Sequence, residues 1–253
     1  MQDSLLAMFK KVCAGCGQMD NKMNKEHLFP QWLIERTGTN KTGIRWVGGQ
    51  SIPAKAATIP LCEKCNHEFG RALESPVSQI FNNLESHRGI SDHEAELLIR
   101  WLWKFEGLCW TFLNPTGVYT KNFTLKQRIL LPISDIRGDL VLAISLIKEI
   151  DPTYGDAPMG IDSFNVRNAI FVAGVFSRIA VMVLLKDFIE MVPDNFSLYN
   201  LATKRNELSY AKLFYPKIGF ENDTEAVNIT QVIGKRLSVL HDEVYVYLKK
   251  ILS

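Results

Sequence analysis

Two Cys-x-x-Cys pairs, Cys13–Cys16 and Cys62–Cys65, bracket a Glu26-His27-x-x-Pro30 element, and Asn66 follows the last cysteine directly. Two residues between cysteines let both sulfurs turn toward one ion, so the four thiols suit a single tetrahedral Zn²⁺. Gly15 and Gly17 allow the tight backbone that such a knuckle requires. With four thiolates closing the tetrahedron, Glu26 and His27 are left for another task. An imidazole is a natural base for the attack of water on a phosphodiester; a purely structural His27 is the alternative. Neighbours on a strand point to opposite faces, so Glu26 and His27 meet one ion only if the strand bends. Asn66 can equally cap the helix that follows. His67 and Glu74 are spare ligand candidates, although Arg71 and Glu74 are expected to face solvent.

From Cys13 to Glu74 the arrangement resembles the zinc-stapled HNH endonucleases of the His-Me finger, or ββα-metal, class. The resemblance implies a hairpin packed on a helix, with the acidic-His pair on the first strand. It implies His27 as general base, and Glu26 and Asn66 as ligands of a catalytic Mg²⁺ or Mn²⁺. Cys13, Cys16, Cys62 and Cys65 would hold a structural zinc. The chain departs from the pattern at the central Asn, five residues before the third cysteine, where it carries Ala57 followed by Thr58. The activity implied is metal-dependent hydrolysis of nucleic acid, DNA before RNA. The alternative is a catalytically inactive zinc-organised module that grips nucleic acid or protein, and the missing Asn favours it. A redox dithiol protein is a third reading; no thioredoxin-like βαβ unit flanks the cysteines.

The whole chain carries a net charge of only +2, too small to imply nucleic acid by itself. Residues 10–71, however, hold ten Lys/Arg against five Asp/Glu, and the remainder holds nineteen against twenty-two. The motif thus sits in a mildly basic stretch that suits phosphate contacts. An apolar content of 47% and a charged content of 22% are those of an ordinary globular protein and exclude a disordered one. The fifth cysteine, Cys109, reads as a small core residue. Cysteines used as metal ligands, with no signal peptide in the first residues, point to a reducing, cytoplasmic setting.

The remaining expectations concern the elements that position these residues. The fold class is α+β, with a zinc-stapled module over residues 1–88 and a larger helix-rich portion over 89–253. The second portion would choose the target, meet a protein partner, or pair with a second copy. Residues 1–12 read as an amphipathic lead-in and 25–29 as a strand. A helix starts at Pro30, and 44–47 is a short strand within a glycine-containing loop. Asn66–Leu84 reads as a helix with a break or restart near Pro76. Ser91-x-x-Glu94 is a capping box opening an apolar-striped helix that includes Trp101. Trp101, Trp103 and Trp110 are expected in the core. Strands are expected around 118–125, 129–133 and 140–147. The apolar stretch 167–192 reads as a buried helix, because a membrane span would place Arg178 near the bilayer centre. Residues 193–195 form a turn and 198–220 an irregular surface stretch with mixed basic and aromatic residues. A helix over 225–252, weakened by Gly234, ends the chain.

Overall fold

The computed structural model describes residues 12–19, 22–45, 51–113, 124–130, 133–151, 158–161, 171–202 and 212–239. Strand β1 (Met23–His27) leads to helix α1 (Gln31–Thr37) and the single turn α2 (Thr39–Thr42). Pro30 precedes α1, and its carbonyl accepts from the amides of Leu33 and Ile34. Gly38 ends α1 in the left-handed region, at φ 80°. Strands β2 (Ile44–Arg45) and β3 (Ser51–Ile52) form a small ladder. Strand β4 (Thr58–Cys62) then returns antiparallel to β1, with Glu26 opposite Ile59 and His27 opposite Thr58.

Helix α3 (Glu63–Phe69) follows β4 without a loop. It runs through a π-helical turn (Gly70–Glu74) into α4 (Ser75–Glu85). The break or restart expected near Pro76 is a restart: α4 begins at Ser75 directly after the π-helical turn, with Pro76 in its first turn. Helix α5 (Asp92–Leu113) opens on the capping box, with Ser91 N–H donating to Glu94 Oε2 at 2.7 Å and Glu94 N–H to Ser91 Oγ at 3.3 Å.

Leu125–Leu130 forms helix α6 instead of the expected strand. A second capping box accounts for it: Gln127 N–H donates to Thr124 Oγ1 at 3.1 Å, and Thr124 N–H to Gln127 Oε1 at 2.7 Å. The strand candidates at 118–123 lie outside the described residues.

A six-stranded sheet follows, made of β5 (Leu140–Glu149), β6 (Met159–Ile161), β7 (Val172–Phe176), β8 (Ile179–Leu185), β9 (Ser197–Asn200) and β10 (Ile218–Asn222). The path runs β10-β5-β8-β7-β6, with β9 also on β5. Only β10 is parallel to its neighbour. Within the stretch read as a buried helix, 172–185 is the β7–β8 hairpin with Arg178 at its turn, and Lys186–Met191 is a 3₁₀ turn; residues 167–170 lie outside the described set. Every residue of both strands is buried. A strand covered on both faces loses its polar alternation and cannot be told from a buried helix by periodicity. Likewise β9 and β10 bracket the stretch expected to be irregular. Helix α7 (Asp223–Val239) packs on β7 and β10; residues 240–253 lie outside the described set, as do the lead-in residues 1–11.

The buried side chains form one cluster from Cys13 to Ile233, so residues on either side of position 88 share a core. Its centre is aromatic. Trp101 stacks on Phe105 at 5.6 Å and meets Phe176 of β7 edge-on at 5.2 Å; Trp32 of α1 meets Phe81 of α4 at 5.0 Å. Trp103 and Cys109 are buried as expected. Among the described residues no helix is long and apolar enough to cross a membrane.

Candidate metal centre and adjoining site

The knuckle Cys13–Gly17 is pinned to β4 by the amide of Ala14 on the Pro60 carbonyl, 2.9 Å. Gly17 takes φ +71°, and a Cβ on Gly15 would press on Cys65 and Phe69 at 3.2 Å. Both glycines are therefore required by the turn. The second knuckle spans the junction of β4 and α3: Cys62 is the residue capping α3, its sulfur accepting the Cys65 amide at 3.5 Å. Because α3 begins at Glu63, Asn66 lies inside the helix and is not its cap.

The sulfurs of Cys13, Cys16, Cys62 and Cys65 all lie within 4.8 Å of one another. Those of Cys16 and Cys62 are 4.0 Å apart. A tetrahedral zinc with Zn–S of about 2.3 Å separates its sulfurs by about 3.8 Å, whereas a disulfide needs about 2.05 Å. All five cysteines are free. A backbone N–H from Cys62 reaches the Cys13 sulfur at 3.2 Å, the kind of donor that steadies a thiolate. The hydrogen bond from Cys65, chiefly, holds the Cys13 thiol down at about 4; that same bond, with burial, pushes Cys65 up. Burial raises Cys16. Packed thiols cannot all ionise without a cation among them, and a soft divalent ion is the group that this donor set fits. The four cysteines could hold a metal such as zinc.

Sheet alternation sends Glu26 and His27 to opposite faces of β1. Glu26 shares the face of Ile59 and Leu61, both buried, while His27 shares that of Thr58 and Cys62. His27 and Asn66 are half-buried, and neither side chain makes a hydrogen bond with the described residues. Helix α3 packs against both β1 and β4, so Glu26, His27 and Asn66 ride on one sheet–helix unit. Where the resemblance leads one to expect an Asn, the Ala57 carbonyl accepts the amide of Leu28 at 2.8 Å and fixes the residue after His27 by backbone alone.

Glu26 is engaged by a residue that the sequence reading did not single out. Lys104 of α5, fully buried, places its Nζ 3.3 Å from Glu26 Oε1 and 2.5 Å from Glu74 Oε1. Glu74 Oε2 accepts the indole N–H groups of Trp32 at 2.9 Å and Trp101 at 3.3 Å. Glu74 therefore does not face solvent; Arg71 and His67 do. The lysine pays for desolvation, yet the adjacent charges of Glu74 and Glu26 outweigh burial and raise its pKa. Lys104 belongs to a stripe of buried charges on α5, with Asp92, Glu96 and Arg100. Arg137 pairs with Asp92 and Glu96, and Arg100 donates to Glu96 at 2.9 Å. The four-residue spacing was the available signal, since it puts the four on one helix face.

Among the described residues the four cysteines are the one cluster of three or more His, Cys, Asp or Glu ligands. A cleft of about 180 Å³ opens elsewhere, lined by Glu85, His87, Lys148 and Arg178 among others, and it includes none of the motif residues. Comparison with protein-family models, with curated proteins and with solved structures finds no match to this chain.

Proposed function

We propose that the chain is a metal-dependent endonuclease of the HNH type, hydrolysing phosphodiester bonds in nucleic acid, DNA before RNA. The supporting observation is that a cysteine cluster of metal-binding dimensions ties together one strand–strand–helix unit carrying Glu26, His27 and Asn66. In this reading the cluster holds a structural zinc and the unit is a ββα-metal finger. His27, free of hydrogen bonds with the described residues, takes the proton of the attacking water. The Ala57–Leu28 backbone bond holds the loop after His27 in place of the absent Asn. Glu26 and Asn66 offer hard oxygen donors, the kind that Mg²⁺ and Mn²⁺ prefer. When bound there, such an ion would stabilise charge on the phosphoryl and leaving oxygens.

A plasmid nicking assay in Mg²⁺ or Mn²⁺, wild type beside His27→Ala at equal zinc content, tests the reading. Loss of a positioned base costs roughly 10²- to 10⁴-fold in rate. Equal activity of the two proteins, or none in the wild type, refutes it. The second reading is an inactive zinc-organised module binding nucleic acid or protein. The grip of Lys104 on Glu26 favours it, because an ammonium already neutralises the carboxylate that a catalytic cation would need.

A further inference from the structure

The cleft of about 180 Å³ away from the motif is lined by His87, Lys148, Arg178 and Ile218, with Glu85 as the acid among them. The turn after α4 supplies His87, the β7–β8 turn supplies Arg178, and the ends of β5 and β10 supply Lys148 and Ile218. Around it, segments 86–90, 177–179 and 212–218 carry Arg88, Arg178, Lys212 and Lys217 and no acid. His87 and Ser177 are the non-glycine residues of positive φ among the described ones, at 55° and 54°. Glycine is the less strained occupant of such positions. Here one of them lines the cleft and the other directly precedes Arg178. Among the described residues the His87 imidazole has no partner, and the Arg178 guanidinium donates only to the Lys148 carbonyl, at 3.2 Å. Glu85 is bound to Arg36 at 2.5 Å. Lys148 pairs with Glu221, but both are more than half exposed, and so solvated a pair is weak enough to yield to a phosphate.

Residues 212–218 extend the cleft into a shelf. Phe214 donates its N–H to Ile90 at 2.8 Å and accepts from the Ile90 amide at 2.9 Å, while the Lys217 carbonyl accepts from Leu146 at 2.9 Å. The Phe214 ring packs on Tyr199 at 5.0 Å. Exposure alternates along this pinned backbone: Leu213, Tyr215 and Lys217 are exposed, Phe214 and Pro216 half-buried. Tyr215 keeps 62% of its exposure. Its ring lies against Gly89, where a Cβ would come within 2.9 Å of Tyr215 Cζ, so it stands beside the turn that carries His87 and Arg88. We propose that this cleft and shelf bind single-stranded nucleic acid, with an unstacked base on Tyr215 and a phosphate of the same strand on Arg178 and His87. Free bases stack on an open aromatic face while the backbone follows the cations; a duplex keeps its base faces hidden. The inference rests on nucleic acid being the ligand of this chain, and not on His27 cutting it.

The test is fluorescence anisotropy of a short labelled polythymidine strand with the full-length, zinc-loaded protein over a range of salt. A duplex and a strand without bases, both of the same length, are run beside it. Wild type is expected to bind the single strand more tightly than either. Tyr215→Ala should weaken that binding about tenfold, and Tyr215→Phe, which keeps the ring, should restore it. Arg178→Gln should flatten the slope of log K against log salt by about 0.7, the loss of one phosphate contact. Both side chains are exposed, so melting curves should match wild type. No binding by wild type, no preference for the single strand with bases, equal affinity in Tyr215→Ala, or an equal salt slope in Arg178→Gln overturns the proposal. Nicking assays on the same proteins separate it from the nuclease reading. A strand held through Tyr215 and Arg178 but never cut removes the nuclease reading alone; cutting, with affinities indifferent to both variants, removes this proposal alone.

Discussion

Two polar clusters, the four cysteines and the buried charges along α5, are solved in opposite ways. At the cysteines, four sulfurs converge within 4.8 Å of one another, and Lys126, which feels the charge of Cys65 and Cys16, gives its ammonium to Glu68. Along α5, each buried acid meets a cation from the chain itself: Asp92 and Glu96 meet Arg137 and Glu106 meets Arg128, while the buried Lys104 meets Glu26 and Glu74. The difference shows where this fold needs something from outside. The sulfur cluster calls for an ion before it can be fully ionised, whereas the ion stripe is complete as folded.

Breaking the sulfur cluster should have the largest effect. In zinc-finger peptides a structural zinc contributes an apparent 10–16 kcal/mol or so at neutral pH, and Cys62 is both one of the four candidate ligands and the cap of α3. Cys62→Ala should give an unfolded or aggregated protein without zinc, measured by elemental analysis and circular dichroism. A folded, zinc-free variant would mean that the cluster is not a metal centre.

Breaking the self-sufficient side should cost less. Arg137→Met strands Asp92 and Glu96 without their shared guanidinium, and removal of one partner from a buried ion network typically costs about 3–5 kcal/mol. Urea unfolding should report that loss with zinc content intact, since Arg137 pairs with the acids of α5. If zinc left together with stability, the two clusters would be one cooperative unit and the contrast would fail. The smallest effect belongs to a local device. Thr124→Ala removes the cap of α6 and should cost about 1 kcal/mol in the same urea experiment. Helix α6 abuts the first knuckle, with the Lys126 amide on the Gly15 carbonyl at 2.8 Å. Zinc retention in Thr124→Ala would therefore sharpen the claim that the cluster stands on its own sulfurs.

The sulfur cluster was legible in the chain because the spacing within each pair is local: two residues separate its cysteines, and the glycines around the first pair mark the turn. The capping box at Ser91 was legible for the same reason, as was the β5 strand from its apolar run. The ion stripe was not. Lys104 meets Glu74 thirty positions away and Glu26 seventy-eight, and nothing in a single sequence distinguishes a buried lysine from a solvated one. Its apolar neighbours on α5 drew the eye to the core and away from the charges at every fourth residue. Strands β7 and β8 were misread because burial on both faces erases the alternation that identifies a strand. Glu74 was assigned to solvent because its two indole partners, Trp32 and Trp101, come from different helices. The position of Asn66 inside α3 turned on three residues of helix start, and Cys62 serving as its own cap is a double role that sequence patterns do not display.

The most direct test is a crystal structure of the zinc-loaded protein soaked in Mn²⁺, with anomalous maps collected at both metal edges. The account predicts zinc among Cys13, Cys16, Cys62 and Cys65, and a separate manganese peak at Glu26 and Asn66. Manganese absent from Glu26, or zinc absent from the thiolates, would contradict it.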